Sequence, residues 1–461
     1  MVLRRTPSRR LERGLLDPPA DARGLLASLY WAGVEAVSPG RSLLGALERS
    51  PPPRSGRVWV IAIGKASHAM AGAAVDWLRG HGIAPAGGII IAPSAAVPPH
   101  PGILLAVGDH PLPGARSFAA AARLGEVAAR MGEDDEAWVL LSGGASALAA
   151  APEGAIKPDE LVELFRLLLR SGLDIARANA IRKRFLRWGA GRLAVALQPA
   201  RVRNFIISDV VGDDIDTIGS GPCAPDPTDA AAVRALLEEA GLWDRVAVSL
   251  RRYLGRVARD SSAETPKPSN PIFQHVERRI VAGNRIALEA AGARAAEYGF
   301  AARVVSASLS GPASDAGRRV AHALLAYRSD ASRVCLLWGG ETTVSMGATS
   351  GRGGRCQELA LAAARELSLA QPESDTIAIL AAGSDGRDGP TDAAGAFADS
   401  GTWNAIQRAG HDPALALEGH DSYRALDAAD SLFRTGLTGT NVMDLVIGIA
   451  GAAGGAERSE R

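Results

Sequence analysis

Four aspartates that follow a short apolar run are the first residues whose types and spacing could do chemistry. Phe205–Ile207 is typical of a buried strand. The aspartates that come next, among glycines, are Asp209, Asp213, Asp214 and Asp216. Loops at the carboxyl ends of parallel strands are where open α/β sheets bind ligands. The stretch therefore predicts the acidic wall of an active site, in which Asp209 and Asp214 are candidate metal ligands and Asp209 is also a candidate proton acceptor. The alternative is a solvated surface turn, since Asp and Gly are ordinary turn residues.

A lysine in a glycine turn is the second candidate. The sequence has only four lysines beside a far larger number of arginines, and one of them, Lys65, lies between the predicted strand Val58–Ile63 and the predicted helix His68–Leu78. A compact ammonium group at a helix N-terminus could face an anion. The turn is not a Walker A loop, because the upstream glycine and the four intervening residues of that motif are missing. Chance retention of a lysine here is the alternative.

Three further loops combine glycine with groups that bind anions. Ser142–Ser146 (SGGAS) and Gly339–Thr343 (GGETT) each follow a predicted strand, and glycine lets backbone N–H groups approach a phosphate or carboxylate closely. Arg352 and Arg355 lie in a glycine-rich turn that begins a predicted helix, where guanidinium, helix dipole and backbone donors act together. Tight turns and a surface loop are the alternatives.

A second acidic loop follows the predicted strand Ile377–Ala381. It carries Asp385 and Asp388 as further candidate metal ligands. The pattern is not an EF-hand, because the required glycine and closing glutamate are absent. Glycine loops, two carboxylate groups, a lysine and paired arginines together are what phosphoryl transfer requires.

Two weaker candidates remain open. Asn179 and Arg182 belong to a basic run on a helix predicted over Asp174–Leu197, which is either a solvated face or a set of side chains that reach the site. His110 lies in a loop fixed by two prolines and is either a base or a residue with a structural hydrogen bond to the backbone.

The spacing of strands and helices predicts an α/β protein made of two α/β domains with Rossmann-like sheets and an active-site cleft between them. Ser261–Pro271 is the best linker candidate, since it is rich in Ser and Pro. We predict a disordered N-terminal tail (1–24), an N-terminal domain (25–265) and a C-terminal domain (272–455). The final apolar segment after Met443 is predicted to be a helix, as are Leu25–Ala46 and Ala393–Ala409.

The amino-acid composition limits the classes of partner that the protein is expected to bind. The chain of 461 residues has 51 basic and 50 acidic residues, so no basic field favours nucleic acid or an anionic membrane surface. No apolar run reaches the roughly 18 residues that a membrane span needs. The three cysteines lack metal or disulfide spacing, which indicates a cytoplasmic protein. A small polar ligand is expected, and a homodimer stays open.

Eight motifs in chain order resemble the glycerate 2-kinase family, whose C-terminal part is called the MOFRL domain. The likeness extends from about Leu25 to Ile449. The motifs are IGKAS (Ile63–Ser67), GDHPLPG (Gly108–Gly114), LLSGGASAL (Leu140–Leu148), ISDVVGDD with SGPCAPDPT (Ile207–Thr228), GGETTV (Gly339–Val344), GRGGRCQELALA (351–362), GSDGRDGPTDAAGA (383–396) and TGTNVMDL (438–445).

The resemblance implies ATP- and Mg²⁺-dependent phosphorylation of D-glycerate at its 2-hydroxyl to give 2-phosphoglycerate. It marks Lys65 and Arg355 as the leading catalytic residues, to which our reading of the loops adds Asp209. The predicted substrate-binding residues are Ser142, Gly143, Gly144, Ser146, Asn179, Arg182 and Arg352. The predicted nucleotide-binding residues are Gly339, Gly340, Glu341, Thr342 and Asp385, and the predicted Mg²⁺ ligands are Asp209, Asp214, Asp385 and Asp388.

Several positions depart from the family pattern. Arg184 stands where the family usually has His, Gly189-Ala190 replaces Lys-Gly, and Gly311–Ser314 replaces Gly-Glu-Ala-Arg. Cys356 replaces a usual Asn and Leu437 a usual Pro. These departures leave another hydroxy acid open as acceptor. The alternative functions are an NAD(P)H-dependent hydroxypyruvate reductase, for which the sequence lacks a GxGxxG turn after a strand, and a non-catalytic hydroxy-acid binding protein.

Overall fold

The computed structural model describes residues 19, 21–53, 57–327, 333–344, 351–370 and 377–451. Contacts within the chain define two compact units. Unit 1 comprises the described parts of Met1–Glu35, Ala287–Leu437 and Asp444–Arg461, and unit 2 comprises those of Ala36–Ile286 and Thr438–Met443. We describe each unit by itself.

Sixteen α-helices lie in the described ranges. They are α1 (Ala22–Ala36), α2 (Pro39–Glu48), α3 (Ser67–Gly80), α4 (Ala115–Ala128), α5 (Ala145–Leu148), α6 (Pro158–Leu169), α7 (Ile175–Arg184), α8 (Arg192–Ala196), α9 (Ala230–Glu239), α10 (Val248–Val257), α11 (Asn284–Glu297), α12 (Ala313–Leu325), α13 (Arg355–Leu369), α14 (Thr402–Arg408), α15 (Pro413–Glu418) and α16 (Ser422–Ala428). Within those same ranges, no helix combines the length and the apolar character that crossing a bilayer needs.

In the part of the chain that the structure describes, twelve strands form two sheets of six. The strands are β1 (Arg57–Ile63), β2 (Pro85–Ala92), β3 (Ile103–Val107), β4 (Asp135–Leu141), β5 (Arg201–Ile207), β6 (Val276–Ala282), β7 (Ala301–Leu309), β8 (Val334–Gly340), β9 (Ala378–Gly383), β10 (Gly395–Asp399), β11 (Leu432–Phe433) and β12 (Asp444–Ala450). The prediction of an α/β protein is confirmed.

The sheet of unit 2 has the strand order β3-β2-β1-β4-β5-β6, and all its strands run parallel. This is the order of a Rossmann fold, in which ligands bind outside the carboxyl ends of the strands where the order reverses. Here the reversal falls between β1 and β4, because the chain turns outward from β1 to β3 and then returns to the other side of β1. The loops that begin at Gly64 and Ser142 therefore leave the sheet at the point where Rossmann folds bind their ligands.

The sheet of unit 1 has the order β11-β10-β9-β12-β8-β7 and is mixed. Only β7 and β8 run parallel, and every other neighbouring pair is antiparallel. The last strand, β12, lies between β8 and β9 and is buried along its whole length. Since both of its faces are covered, its sequence DLVIGIA shows no alternation of apolar and polar residues.

Several sequence predictions of local structure are wrong. The final apolar segment is strand β12 and not a helix, because an apolar run of six residues has no period that separates the two. The helix predicted over Ala393–Ala409 contains strand β10 before α14. The helix predicted over Asp174–Leu197 ends at Arg184, and left-handed backbone at Ala190 and Gly191 turns the chain into α8. Pro39 begins a second helix inside Leu25–Ala46.

The predicted domain boundaries, 25–265 and 272–455, stay a prediction. The contact-defined units change between Ile286 and Ala287. The segment predicted as a linker lies within unit 2, where its Thr265 is buried. Of the predicted N-terminal tail, residues 1–18 and 20 lie outside the described residues, and residues 22–24 begin α1.

Candidate active site

In unit 2, the turns that follow β1 and β4 are hydrogen-bonded to each other. The Lys65 backbone N–H donates to the Gly143 carbonyl at 3.0 Å, and the Ala66 N–H donates to Ser142 Oγ at 3.0 Å. The sequence prediction that these two loops follow strands is confirmed, and the parallel sheet brings them together. We call this pair of turns, residues 64–67 and 142–146, the unit 2 cradle.

The two glycines of the cradle lie close to candidate site residues. Gly144 has a φ of +84°, and a Cβ added there would lie 3.0 Å from His110 Cδ2 and 3.6 Å from Lys65 Cε. A Cβ added to Gly143 would collide with Asp209 Oδ2. The structure thus brings Lys65, His110 and Asp209 against the same two glycines.

His110 lies beside the cradle and has a perturbed pKa. Partial burial and the nearby Lys65 ammonium group lower the pKa of His110. The sequence offered His110 only as an open alternative, because a lone histidine in a loop carries no spacing signal.

The aspartates of the acidic loop after β5 differ in their partners and in their exposure. Asp216 accepts from Lys183 Nζ at 2.6 Å, and Lys183 also pairs with the buried Asp226 at 3.0 Å. Asp214 is exposed, whereas Asp209 is half-buried against Gly143. Of this loop's aspartates, Asp209 therefore remains the candidate for chemistry and Asp216 anchors the loop.

Asn179 and Arg182 of α7 form a hydrogen-bonded pair beside the acidic loop that follows β5. Asn179 is buried and donates through Nδ2 to the Thr217 carbonyl at 3.5 Å, and Arg182 donates to Asn179 Oδ1 at 2.9 Å. The Arg182 guanidinium also stacks on Phe165 at 4.9 Å. Ser146 is linked to Ser220 through their hydroxyl groups at 2.7 Å. Their predicted role in substrate binding stays a prediction.

Arg184, one of the departures from the family pattern, is fully buried. It donates to Thr265 Oγ1 at 2.8 Å and pairs with Asp226 and Glu264. A buried guanidinium needs such partners because leaving it unpaired costs several kcal/mol (about 3–5). This departure therefore acts on the packing of unit 2.

Unit 1 contains a cavity of about 650 Å³ that brings together most of its predicted site residues. Its lining includes Glu341, Thr342, Arg355, Asp385, Asp388 and His420. We call it the unit 1 cavity. The departure at Pro312 adjoins it, because Pro312 pairs with Thr343, whose backbone N–H donates to the Gly311 carbonyl at 2.9 Å.

Arg355, the first residue of α13, is held by two carboxylates. Its Nε and Nη2 donate to Asp444 Oδ2 and Oδ1 at 2.6 and 2.9 Å, and its Nη1 donates to Glu341 Oε1 at 2.6 Å. Burial opposes the charge, but the hydrogen bond and the charge of Asp444 raise the pKa of Arg355 above its ordinary value. The guanidinium is therefore always charged and has a fixed plane.

Asp444 is a site residue that the sequence reasoning missed. It is buried and begins β12, where it pairs in register with Gly340 of β8 and Gly383 of β9. The strand thus delivers Asp444 to the edge at which the loops carrying Glu341 and Asp385 begin. Because the sequence pattern predicts a helix in place of β12, it does not indicate that Asp444 lies at this edge of the sheet.

Asp388 occupies the N-terminus of α13. Its carboxylate accepts from the backbone N–H groups of Cys356 and Gln357 at 3.1 and 2.8 Å. Burial and the nearby Asp444 carboxylate raise the pKa of Asp388 to about 7, although the two N–H groups oppose this. Asp388 therefore caps the N-terminus of α13, the helix that begins with Arg355, and its predicted role as a Mg²⁺ ligand stays a prediction.

The raised pKa of Asp388 predicts a pH-dependent contribution to stability. An unfolded aspartate has a pKa of about 3.9, so the folded state binds a proton between that value and about 7 that the unfolded state has lost. The contribution is full below about pH 4 and is lost as pH rises to 7, at about 1.4 kcal/mol per pH unit. We expect the free energy of unfolding of the wild type, minus that of Asp388→Asn, to fall between pH 5 and about 7 in chemical denaturation.

Asp385→Asn serves as the matched control, because Asp385 lies in the same loop and does not cap α13. A difference between wild type and Asp388→Asn that stays constant from pH 5 to about 8 would contradict the assignment.

The glycine-rich turn before α13, residues 351–354, is held in place by the residues that follow α15. We call this turn the arginine loop. The Gly351 N–H donates to the Gly419 carbonyl at 2.7 Å, and the Tyr423 N–H donates to the Arg352 carbonyl at 3.0 Å. The Arg352 guanidinium stacks on the Tyr423 ring at 4.1 Å. Arg352 therefore faces an aromatic ring in this structure, and its predicted contact with substrate stays a prediction.

Among the described residues, no group of three or more His, Cys, Asp or Glu side chains is arranged to hold a metal ion. Asp385 lines the unit 1 cavity and accepts from the Arg387 N–H at 3.0 Å through Oδ1. Oxygen ligands of this kind suit Mg²⁺, which usually takes one or two carboxylates and completes its shell with waters and substrate phosphates.

Known proteins resemble this chain over almost its whole length. A domain of unknown function, DUF4147, matches residues 25–255, and the MOFRL family matches residues 334–444. A Pyrococcus horikoshii protein named glycerate 2-kinase is 34% identical, across 93% of this chain and 97% of that protein. The chain belongs to the glycerate 2-kinase family. The resemblance given by the motifs is thereby confirmed.

Two further proteins that are similar to this chain bear on its fold and function. The crystal structure of a Thermotoga maritima glycerate kinase superposes with a TM-score of 0.80 at 33% identity, covering 92% of this chain and 98% of that one. An Agrobacterium vitis protein with a provisional hydroxypyruvate reductase name is 36% identical, across 92% of this chain and 93% of that protein. Relatives of this chain therefore carry either name.

Proposed function

We propose that the protein is an ATP-dependent kinase of the cytoplasm that phosphorylates D-glycerate on its 2-hydroxyl and releases 2-phosphoglycerate and ADP. The observation that carries the proposal is the likeness, over 93% of the chain, to a relative named for this activity. The charged groups of both units support it, because transfer of a phosphoryl group needs positive charge and backbone donors around several anionic oxygens.

The unit 2 cradle supplies donors for an anionic group of a substrate. Ser142 and Gly143 are hydrogen-bonded to the turn that carries the Lys65 ammonium group, and Gly144 lies beside the Lys65 side chain. Ser146 belongs to the same turn as these glycines, and its hydroxyl is linked to Ser220. The cradle lies where the order of a parallel sheet reverses, which is the position at which such sheets bind ligands.

The unit 1 cavity is the proposed place of the ATP γ-phosphoryl group. Glu341 and Thr342 line it directly after Gly339 and Gly340, the last residues of β8, and Arg355 supplies charge for the transferring group. Asp385 in unit 1 and Asp209 in unit 2 are the carboxylates that fit Mg²⁺. When bound, the metal would neutralise phosphate charge. Asp214 is a weaker candidate because it is exposed.

A hydroxypyruvate reductase is the second candidate function, and the provisional name of the Agrobacterium relative favours it. A Rossmann-type dinucleotide site places G-x-G-x-x-G in the turn after the first strand. In this protein the turn after β1 reads Gly64-Lys65-Ala66-Ser67. Counted from Gly64, the second and third glycines of the motif fall on Ala66 and Ala69. The absence of both glycines favours the kinase.

A coupled assay separates the candidate functions. The protein is mixed with D-glycerate, ATP and Mg²⁺ while ADP is measured, and in parallel with hydroxypyruvate and NADH while NADH is measured. ADP release that depends on D-glycerate is the expected result. NADH consumption without ADP release would establish the reductase, and inactivity in both would leave a hydroxy-acid binding protein.

Gly143→Ala is expected to lower kcat by about a hundredfold and to leave the melting temperature nearly unchanged. The added Cβ collides with the end of the Asp209 side chain, which can rotate away, so the change moves a site carboxylate at little cost to folding. Kinetics and thermal unfolding of the variant test this. Gly72→Ala is the matched control, because a Cβ at Gly72 meets nothing within 4 Å. Equal activity of the two variants would contradict the role given to Asp209.

A further inference from the structure

His420 is a histidine on the wall of the unit 1 cavity that no motif singled out. It lies between α15 and α16, and its backbone has a φ of +54°. Residues other than glycine rarely adopt this left-handed conformation, and they are found in it most often at turns and functional sites. Glycine would fill this backbone position with less strain.

Glu358 orients the His420 ring. Glu358 lies in the first turn of α13 and is 5% exposed, and its Oε2 lies 2.7 Å from His420 Nδ1. Burial raises the pKa of Glu358, and the hydrogen bond from His420 opposes that rise. With Glu358 on Nδ1, Nε2 is the ring nitrogen left to take up a proton from a substrate.

The segment between α15 and α16 is anchored by contacts other than the Glu358–His420 pair. The segment that holds His420 is already tied to the arginine loop through the Gly351 and Tyr423 backbone N–H groups, and Asp421 Oδ1 accepts from the Arg352 N–H at 2.8 Å. A base held by a buried carboxylate, in a cavity with a catalytic arginine, is the arrangement that activates a hydroxyl nucleophile.

We propose that His420 is the general base that accepts the proton of the acceptor hydroxyl, and that Glu358 is its positioning residue. The inference rests on the proposed kinase activity and deepens it. In an in-line transfer the attacking oxygen must reach the γ-phosphoryl group, which we place in this cavity. The hydroxyl O–H bond breaks and its proton moves to Nε2. A bond forms between that oxygen and the γ-phosphorus, and the bond from the γ-phosphorus to the β,γ-bridging oxygen breaks, so that ADP leaves with the electron pair.

His420→Asn tests the base. Asparagine accepts left-handed backbone, so the fold should persist while the base is lost. General bases contribute about 10²- to 10⁴-fold, and the low end applies here because a loose transition state needs little proton transfer. We expect kcat with D-glycerate to fall about a hundredfold and KM to change less than about twofold. The matched control is His322→Gln, which removes the ring of the exposed His322–Glu366 pair on α12 and α13. A His420→Asn enzyme with the kcat of wild type would overturn the assignment.

Chemical rescue distinguishes a base from a structural residue. His420→Gly suits the backbone and leaves space for a small ring, so added imidazole should restore part of kcat, whereas thiazole, a far weaker base of the same size, should not. Glu358→Gln should lower kcat about tenfold at unchanged KM. Equal effects of imidazole and thiazole, or no rescue, would overturn the role of His420. Wild-type turnover of D-glycerate is measured first, so that a failure of the proposed function is seen separately from a failure of this inference.

Discussion

Arg355→Lys is expected to lower kcat for ADP release by about a thousandfold or more. The Arg355 guanidinium donates two parallel hydrogen bonds to Asp444 and a third to Glu341, so that its plane is fixed at the cavity. Lysine offers a point charge that cannot reproduce this fork. An arginine that stabilises a transferring phosphoryl group contributes about 10³- to 10⁵-fold in kcat. Steady-state kinetics with D-glycerate and ATP measure the loss.

Arg318→Lys is the control for this change. Arg318 is exposed on α12 and pairs with Asp315 one turn away, so its replacement should leave kcat unaltered. Normal turnover by Arg355→Lys would remove Arg355 from the chemistry. A large fall in the melting temperature of Arg355→Lys, beside the loss of activity, would assign Arg355 a structural role in place of a catalytic one.

Lys65→Met is expected to lower kcat by a factor of about 10² to 10³, the range found when one donor to a developing charge is removed. Lys65 follows β1 at the position where parallel sheets of this strand order bind ligands, and its side chain lies against Gly144. Its exposed ammonium group contributes little to folding, so the melting temperature should stay within a few degrees of wild type.

Two companions make the Lys65 result specific. Lys157→Met removes an exposed lysine at the start of α6 and should leave kcat unchanged. Lys65→Arg keeps the charge but adds bulk beside Gly144, and we expect it to remain well below wild type. Full activity of Lys65→Arg would mean that charge alone is needed, and full activity of Lys65→Met would exclude Lys65 from the site.

The parts of the site that the sequence predicted are those that local pattern encodes. Apolar runs at Val58–Ile63 and Trp138–Leu141 mark strands, and the glycine turns after them must lie at one edge if the strands are parallel. Lys65 and Ser142–Ser146 could therefore be placed together without any knowledge of long-range contacts.

The parts that the sequence did not predict depend on pairing between distant segments. Arg355 and Asp444 are 89 positions apart, and Glu358 and His420 are 62 positions apart. Asp444 reaches Arg355 only because β12 enters between β8 and β9, an arrangement that periodicity cannot show in a strand buried on both faces. The hydrogen bonds from the backbone of α13 to Asp388 are likewise invisible in the sequence.

The measurement that tests the central claim most directly is a phosphorus NMR spectrum of the product formed from D-glycerate, ATP and Mg²⁺, recorded beside authentic 2- and 3-phosphoglycerate. We expect one new phosphomonoester signal that coincides with 2-phosphoglycerate and grows in step with ADP. A signal at 3-phosphoglycerate, or consumption of ATP without any phosphoglycerate, would contradict the proposed transfer to the 2-hydroxyl.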